Sequence, residues 1–268
     1  MRKAADVWEP LRQVLIALAD AQPDITVVGG WAFRLYALHP DAGPAEIDSI
    51  ATLDADLVLA PVIDLDLGAA LEHASFKKIS GGTTTPRIEK FRATIGGDEI
   101  EVEFLCHRPG AEVKRTGPDR LTTIGNVTVQ RLPHLDLLVA HAIEVEIPDG
   151  SGGPRVRARI PHPAAYLIHK LMVLRARAAE KRPKDVRYVH DVLMRFADRL
   201  DAWRAGLEGL VPAPRRAKGG VAFIDWDLIV EASTIGRVTT PARFHAGLRA
   251  GLARLDPGLS AALVAMPP

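Results

Sequence analysis

Ile25-Thr26-Val27-Val28-Gly29-Gly30-Trp31-Ala32 and, further on, Thr52-Leu53-Asp54-Ala55-Asp56-Leu57-Val58 are the two segments whose reading decides the fold of this chain. The β-branched run Ile25–Val28 lies between Pro23 and Gly29-Gly30, which predicts a buried strand closed by a tight turn. Trp31 to Leu38 has helical character and stops at His39-Pro40, because the residue before a proline resists the helical region. Leu53 to Leu59 alternates as a second strand. Residues two apart in a strand project from one face, so the carboxylates of Asp54 and Asp56 stand side by side. Such a pair repels itself unless a cation lies between. Hard oxygen donors of this kind suit Mg²⁺, which keeps waters and binds substrate phosphates. Glycines between a strand and a helix let a ligand approach the backbone, and free N–H groups at a helix start attract phosphate.

Further elements follow from this centre. Val7, Leu11, Val14, Leu15 and Leu18 have helical spacing, and Leu65 to Phe76 predicts another helix. A turn over Gly81 to Pro86 leads to strand Ile88 to Ile95, a Gly96-Gly97-Asp98 turn and strand Ile100 to Leu105, a hairpin. The second of these strands carries Glu101 and Glu103 on one face. Paired beside the Asp54 strand, it brings a third carboxylate to the cluster. Glu103, which directly precedes the apolar Phe104-Leu105 end, is the expected ligand, with Glu101 as the alternative. Three carboxylates are able to hold one ion shared with a triphosphate and a second that activates an attacking hydroxyl. Glu144 to Ile147 and Val156 to Ile160 suggest one more strand pair. Beyond Pro161 the pattern turns helical, with Tyr166, His169, Leu171, Met172 and Leu174 on one helix and Asp185 to Leu200 on the next. The expected organisation is an α/β (α+β) mixed sheet flanked by helices over residues 1–160, and a mostly helical domain over 161–268.

Bulk properties exclude several classes. Apolar residues make up 47% and charged residues 25%, an ordinary globular composition. The single cysteine, Cys106, has no internal partner, no apolar run approaches the ~20 residues of a membrane span, and the start of the chain lacks a signal core. A cytoplasmic location is expected. Lys plus Arg (34) nearly balances Asp plus Glu (33), but basic residues concentrate between Arg155 and Arg195, a stretch able to meet phosphates if it lines the site. P-loop, dinucleotide-binding and serine-hydrolase signatures are absent, and His190-Asp191 lacks further ligands at zinc spacing.

Taken in order, Val27-Val28-Gly29-Gly30-Trp31-Ala32, Thr52-Leu53-Asp54-Ala55-Asp56-Leu57-Val58 and Glu101-Val102-Glu103-Phe104-Leu105 resemble the polymerase-beta-like nucleotidyltransferase superfamily. Pro163, Lys170, Arg177 and Lys184-Asp185 extend the similarity to the abortive-infection type of toxin nucleotidyltransferase. The resemblance implies transfer of a nucleoside monophosphate from an NTP to an acceptor hydroxyl with release of pyrophosphate. In that reading Asp54, Asp56 and Glu103 hold two Mg²⁺ ions, Gly29 and Gly30 hold the terminal phosphates, Lys170 and Lys184 neutralise the triphosphate, and Asp185 orients a lysine or the base. It further implies an RNA acceptor, such as a tRNA 3′ end, and a cognate antitoxin. A small-molecule acceptor, as in aminoglycoside adenylyltransferases, and a nucleotide- or partner-binding module without turnover are the alternatives. Two departures stand out: relatives commonly carry serine where this chain has Gly30, and arginine upstream of Thr52 where it has Asp48.

Overall fold

The computed structural model describes residues 7–43, 52, 54–81, 88–108, 121–149, 155–174, 182–199 and 202–203. The chain divides into two units, one formed by segments 1–39 and 49–162, the other by 40–48 and 163–268.

In the first unit, helix α1 (Glu9–Ala17) starts with Pro10 in its first turn, where a missing N–H costs nothing. It buries Leu11, Val14 and Leu15. A 3₁₀ segment over Ala19–Asp24 delivers the chain to β1 (Ile25–Val28), all four residues of which are buried. Helix α2 (Gly29–Leu35) follows without a connecting loop, the chain turning into it at Gly29, whose φ is +62°. A 3₁₀ turn at Tyr36–Leu38 ends it, and the Tyr36 hydroxyl donates to the Pro161 carbonyl at 3.0 Å.

Strands β2 (Asp54–Leu59), β3 (Lys77–Gly81), β4 (Ile88–Ile95) and β5 (Asp98–His107) join β1 in the order β1-β2-β5-β4-β3. The sheet is mixed: β2 and β5 run parallel, while β1–β2, β4–β5 and β3–β4 are antiparallel. Beyond Glu103, β5 exchanges its β4 partner for β7 (Val127–Leu132), which forms a hairpin with β6 (Leu121–Ile124). Helix α3 (Leu67–His73), whose N-terminal Ala69 amide is capped by Asp66 at 2.8 Å, packs Gly68 against Phe91 and Val127. Phe91 and Phe104 meet edge to face at 6.0 Å on that side of the sheet. Helix α4 (Leu135–Ala140) then leads to the two-stranded ribbon β8 (Ala142–Ile147) and β9 (Val156–Pro161).

Strands β3, β6 and β7 and helix α4 add to the elements expected from sequence. Gly125 and Asn126 have φ of +55° and +60°, and Gly96 and Gly97 +60° and +86°, so both tight hairpins turn through two left-handed residues as the right-handed strand twist requires. The first of these Gly-containing turns escaped the sequence reading and the second did not.

The second unit contains α5 (Pro163–Leu174) and α6 (Arg182–Arg195), with a 3₁₀ turn at Ala197–Arg199. Tyr166 and Tyr188 cross edge to face at 6.2 Å, and Phe196 lies 5.2 Å from Trp203. The segment before Pro44 belongs here too: the Gly43 amide donates to the Arg195 carbonyl at 2.9 Å and Arg199 pairs with Asp41 at 2.6 Å. The basic run Arg215-Arg216-Ala217-Lys218 falls outside the described residues.

No helix among the described residues is long and apolar enough to cross a membrane. Phe104 is fully buried at the centre of the sheet. Phe104→Ala is expected to cost about 3–5 kcal/mol of stability, read as a lowered urea midpoint with an unchanged slope.

Candidate active site

The site rests on the parallel pairing of β2 with β5, in which Asp54 is the register partner of Glu101 and Asp56 of Glu103. Partners in a parallel ladder share a face. Four carboxylates therefore stand as a square on one side of the sheet, Asp54 exposed and the other three half-buried. Farther along the same face the pattern changes character. Val58 and Leu105 continue the two columns and enter an apolar cluster with Val28, Leu135 and Leu138. The acidic patch thus begins where the cover supplied by α4 stops.

Gly29 and Gly30 bound this patch from β1. Val28 is the register partner of Asp56, and Gly29 follows at φ +62°, a conformation that disfavours side chains. A Cβ on Gly29 would overlap the Asp56 carboxylate. Gly30 is required for a separate reason. A Cβ there would lie 2.8 Å from the Cβ and Oγ1 of Thr52, whose hydroxyl donates to the Asp54 carbonyl at 3.3 Å. The serine usual in relatives at this position has no room beside Thr52. Val28, which precedes α2, offers no side-chain cap.

Two cations on β4 complete the patch, and sequence reading missed both. Register places Lys90 opposite Glu103 and Arg92 opposite Glu101. Lys90 Nζ lies 2.6 Å from Glu101 and 3.1 Å from Glu103, and Arg92 adds a contact to Glu101 at 3.0 Å. Burial alone would lower the Lys90 pKa, but the two glutamates raise it well above the usual lysine value. Burial likewise works to raise the Glu101 carboxyl, and Lys90 and Arg92 outweigh it and hold that group below its ordinary range. Counting strand partners outward from Gly96-Gly97 would have found these pairs. The consequence for a metal is direct. Among the described residues no three His, Cys, Asp or Glu side chains converge as they stand into a metal-holding group. The glutamates lean toward β4 and the aspartates do not share their partner.

The donor set nevertheless fits a hard divalent ion: every candidate ligand is a carboxylate oxygen, and the side chains of Asp54, Asp56 and Glu103 stand on one face with partial access to solvent. Glu103 is held by a single lysine and Glu101 by a lysine and an arginine, which makes Glu103 the more readily released.

Residues of the helical unit have their own arrangement. Lys170 and Asp185 are buried, at 5% and 3% exposure, and pair at 2.7 Å. The ammonium also lies 5.4 Å and 4.9 Å from the ring centres of Tyr166 and Tyr188. Lys184 is exposed and sits 5.8 Å over Tyr188. In the basic stretch, Arg155 and Arg157 are paired diagonally across the ribbon with Glu146 and Glu144 at 2.7 Å and 3.6 Å, and Arg159 donates to the Pro23 carbonyl. Those three arginines serve the fold of the first unit. Arg177 lies outside the described residues. The His162 amide donates to His141 at 3.0 Å, and His169 lies on α5.

A family model described as "Nucleotidyltransferase" matches residues 9–205. No curated protein matches the chain.

Two measurements probe this construction. Gly30→Ala is expected to cost about 1–3 kcal/mol by overpacking, and Thr52→Gly, which removes the obstructing atoms, to recover part of that loss in the double variant. Glu101 has a depressed folded pKa, so its pairing contributes stability above its ordinary value of 4.5, lost as pH falls through the folded value. In Lys90→Met the gain in unfolding free energy between about pH 3 and about pH 6 should therefore be smaller than in the wild type.

Proposed function

Because the chain belongs to the nucleotidyltransferase family, we propose that the acidic face of β2 and β5 is where a nucleoside monophosphate passes from an NTP to an acceptor hydroxyl. The observation that carries this reading is the Asp56–Glu103 register, with Gly29 against Asp56. Asp54, Asp56 and Glu103 would hold two Mg²⁺ ions, and Gly29 and Gly30 would border the terminal phosphates. Bound there, the metal supplies positive charge for the triphosphate and acidifies the attacking hydroxyl. The acceptor oxygen bonds to the α-phosphorus, its bond to pyrophosphate breaks, and the hydroxyl proton leaves to solvent or a neighbouring carboxylate.

The chain's own residues prepare that step by electrostatics and position. Lys90 and Arg92 keep Glu101 ionised, so that side of the face is charged before substrate arrives. Thr52, seated on Gly30 and bonded to the Asp54 carbonyl, fixes the start of β2. Within the helical unit Asp185 pairs with Lys170 and orients it, and Lys184 is exposed. The resemblance to abortive-infection toxins supports RNA, such as a tRNA 3′ end, as acceptor and an antitoxin as partner.

Incubation with each labelled NTP, Mg²⁺ and total cellular RNA tests the proposal. Label is expected in RNA with the wild type, and an Asp54→Ala, Asp56→Ala double variant should lose on the order of a hundredfold or more in rate. Equal labelling by both proteins would sink it. Glu103→Gln should fall with the aspartate variants, whereas Glu101→Gln should retain most activity.

A further inference from the structure

Beside the acidic face lies a cavity of about 120 Å³ lined by Val7, Pro10, Trp31, Arg34, Thr52 and the first residues of β5. Its lining includes none of Gly29, Gly30, Asp54, Asp56 or Glu103, yet Thr52 is the residue seated on Gly30 and Ile100 adjoins Glu101. The cavity therefore opens next to the proposed reaction site and is not part of it.

Arg34 is its unusual member. The guanidinium lies 4.5 Å from the centre of the Trp31 ring and 5.7 Å from that of Trp8, held between two indoles. It is half-buried, and burial lowers its pKa without any carboxylate acting against this. No hydrogen bond or ion pair joins it to a described residue. Lys90 and Arg92, the described cations that face the acidic patch from β4, are by contrast paired with glutamates. Trp31 is 2% exposed, and its Nε1–H, in the residue beneath Arg34, finds no acceptor among the described residues. A half-desolvated cation and a buried donor, both without acceptors, cost stability unless something else satisfies them. The carboxylates on the lining do not do so. Glu99 pairs with Arg92 at 3.4 Å, and Asp98 belongs to the β4–β5 turn.

We infer that this cavity binds a phosphate group of a polynucleotide acceptor, with Arg34 offering its fork of donors. This rests on the proposed transferase reading, which supplies the neighbouring reaction site. A planar guanidinium matches phosphate bidentately and keeps its stacking on the indoles while doing so.

Binding of a labelled short single-stranded RNA, measured by fluorescence anisotropy across salt concentrations without NTP, tests the assignment. Arg34→Gln should weaken binding on the order of tenfold and reduce the slope of log affinity against log salt by about one. Its affinity for a labelled NTP and its thermal midpoint should match the wild type. Inorganic phosphate should compete with RNA on the wild type and lose that effect on Arg34→Gln. Arg34→Lys, which keeps the charge without the fork, should keep the slope and bind several-fold more weakly, and serves in place of Arg34→Gln should that variant unfold. The inference fails if the wild type does not bind RNA, if Arg34→Gln binds it with unchanged slope, or if NTP affinity falls in parallel. Arg34-dependent RNA binding without transfer of label would overturn the transferase reading and leave this one standing.

Discussion

The parallel register of β2 against β5 is the constraint on which the rest depends. It aligns Asp54 and Asp56 with Glu101 and Glu103 on one face while leaving Ala55, Leu57, Val102 and Phe104 to fill the core on the other. A slip of one residue would exchange the two sets, sending carboxylates into the apolar side. The buried phenylalanine pair, the capped helix α3 and the β6–β7 hairpin all act to hold that register, since each packs on strands that flank β5. Stability and site geometry are one requirement here.

Charge is balanced locally by β4. Among the described residues β4 sets Lys90 and Arg92 against the two glutamates of β5, and the carboxylate oxygens of β2 and β5 together are hard donors suited to a divalent ion. Lys90 has a double part. It stabilises the fold by pairing with both glutamates, and it sets how easily each of them turns toward β2.

Much of this was legible in the residues. Periodicity and the Gly-Gly turns located β1, β2, β4 and β5, and the mixed sheet with helices around it follows from their order. The turn expected at the glycine pair is made by Gly29 at φ +62°, with Gly30 already inside α2 and no loop after β1. Strands β6 and β7 are short and lean on β5 for partners, so their own sequences carry little signal beyond Gly125-Asn126. Lys90, Arg92 and Arg34 escaped notice for a different reason. A lone cation in a strand or helix reads as a solvated face, and only register or burial reveals that it is engaged. The basic stretch led the other way: Arg155 and Arg157, which looked available for phosphate, are paired across their ribbon.

Gly30 shows how a departure from a family pattern is explained by packing. Serine there would add a hydroxyl toward phosphate, but Thr52 occupies the space, and Thr52 in turn holds the Asp54 carbonyl. Whatever contact relatives make through that serine must come in this chain from backbone or from another side chain. Gly29 has no such freedom, because the Asp56 carboxylate fills the volume its Cβ would need. Of the two glycines, Gly29 is therefore bound to the acidic face itself, and Gly30 to the strand that presents it.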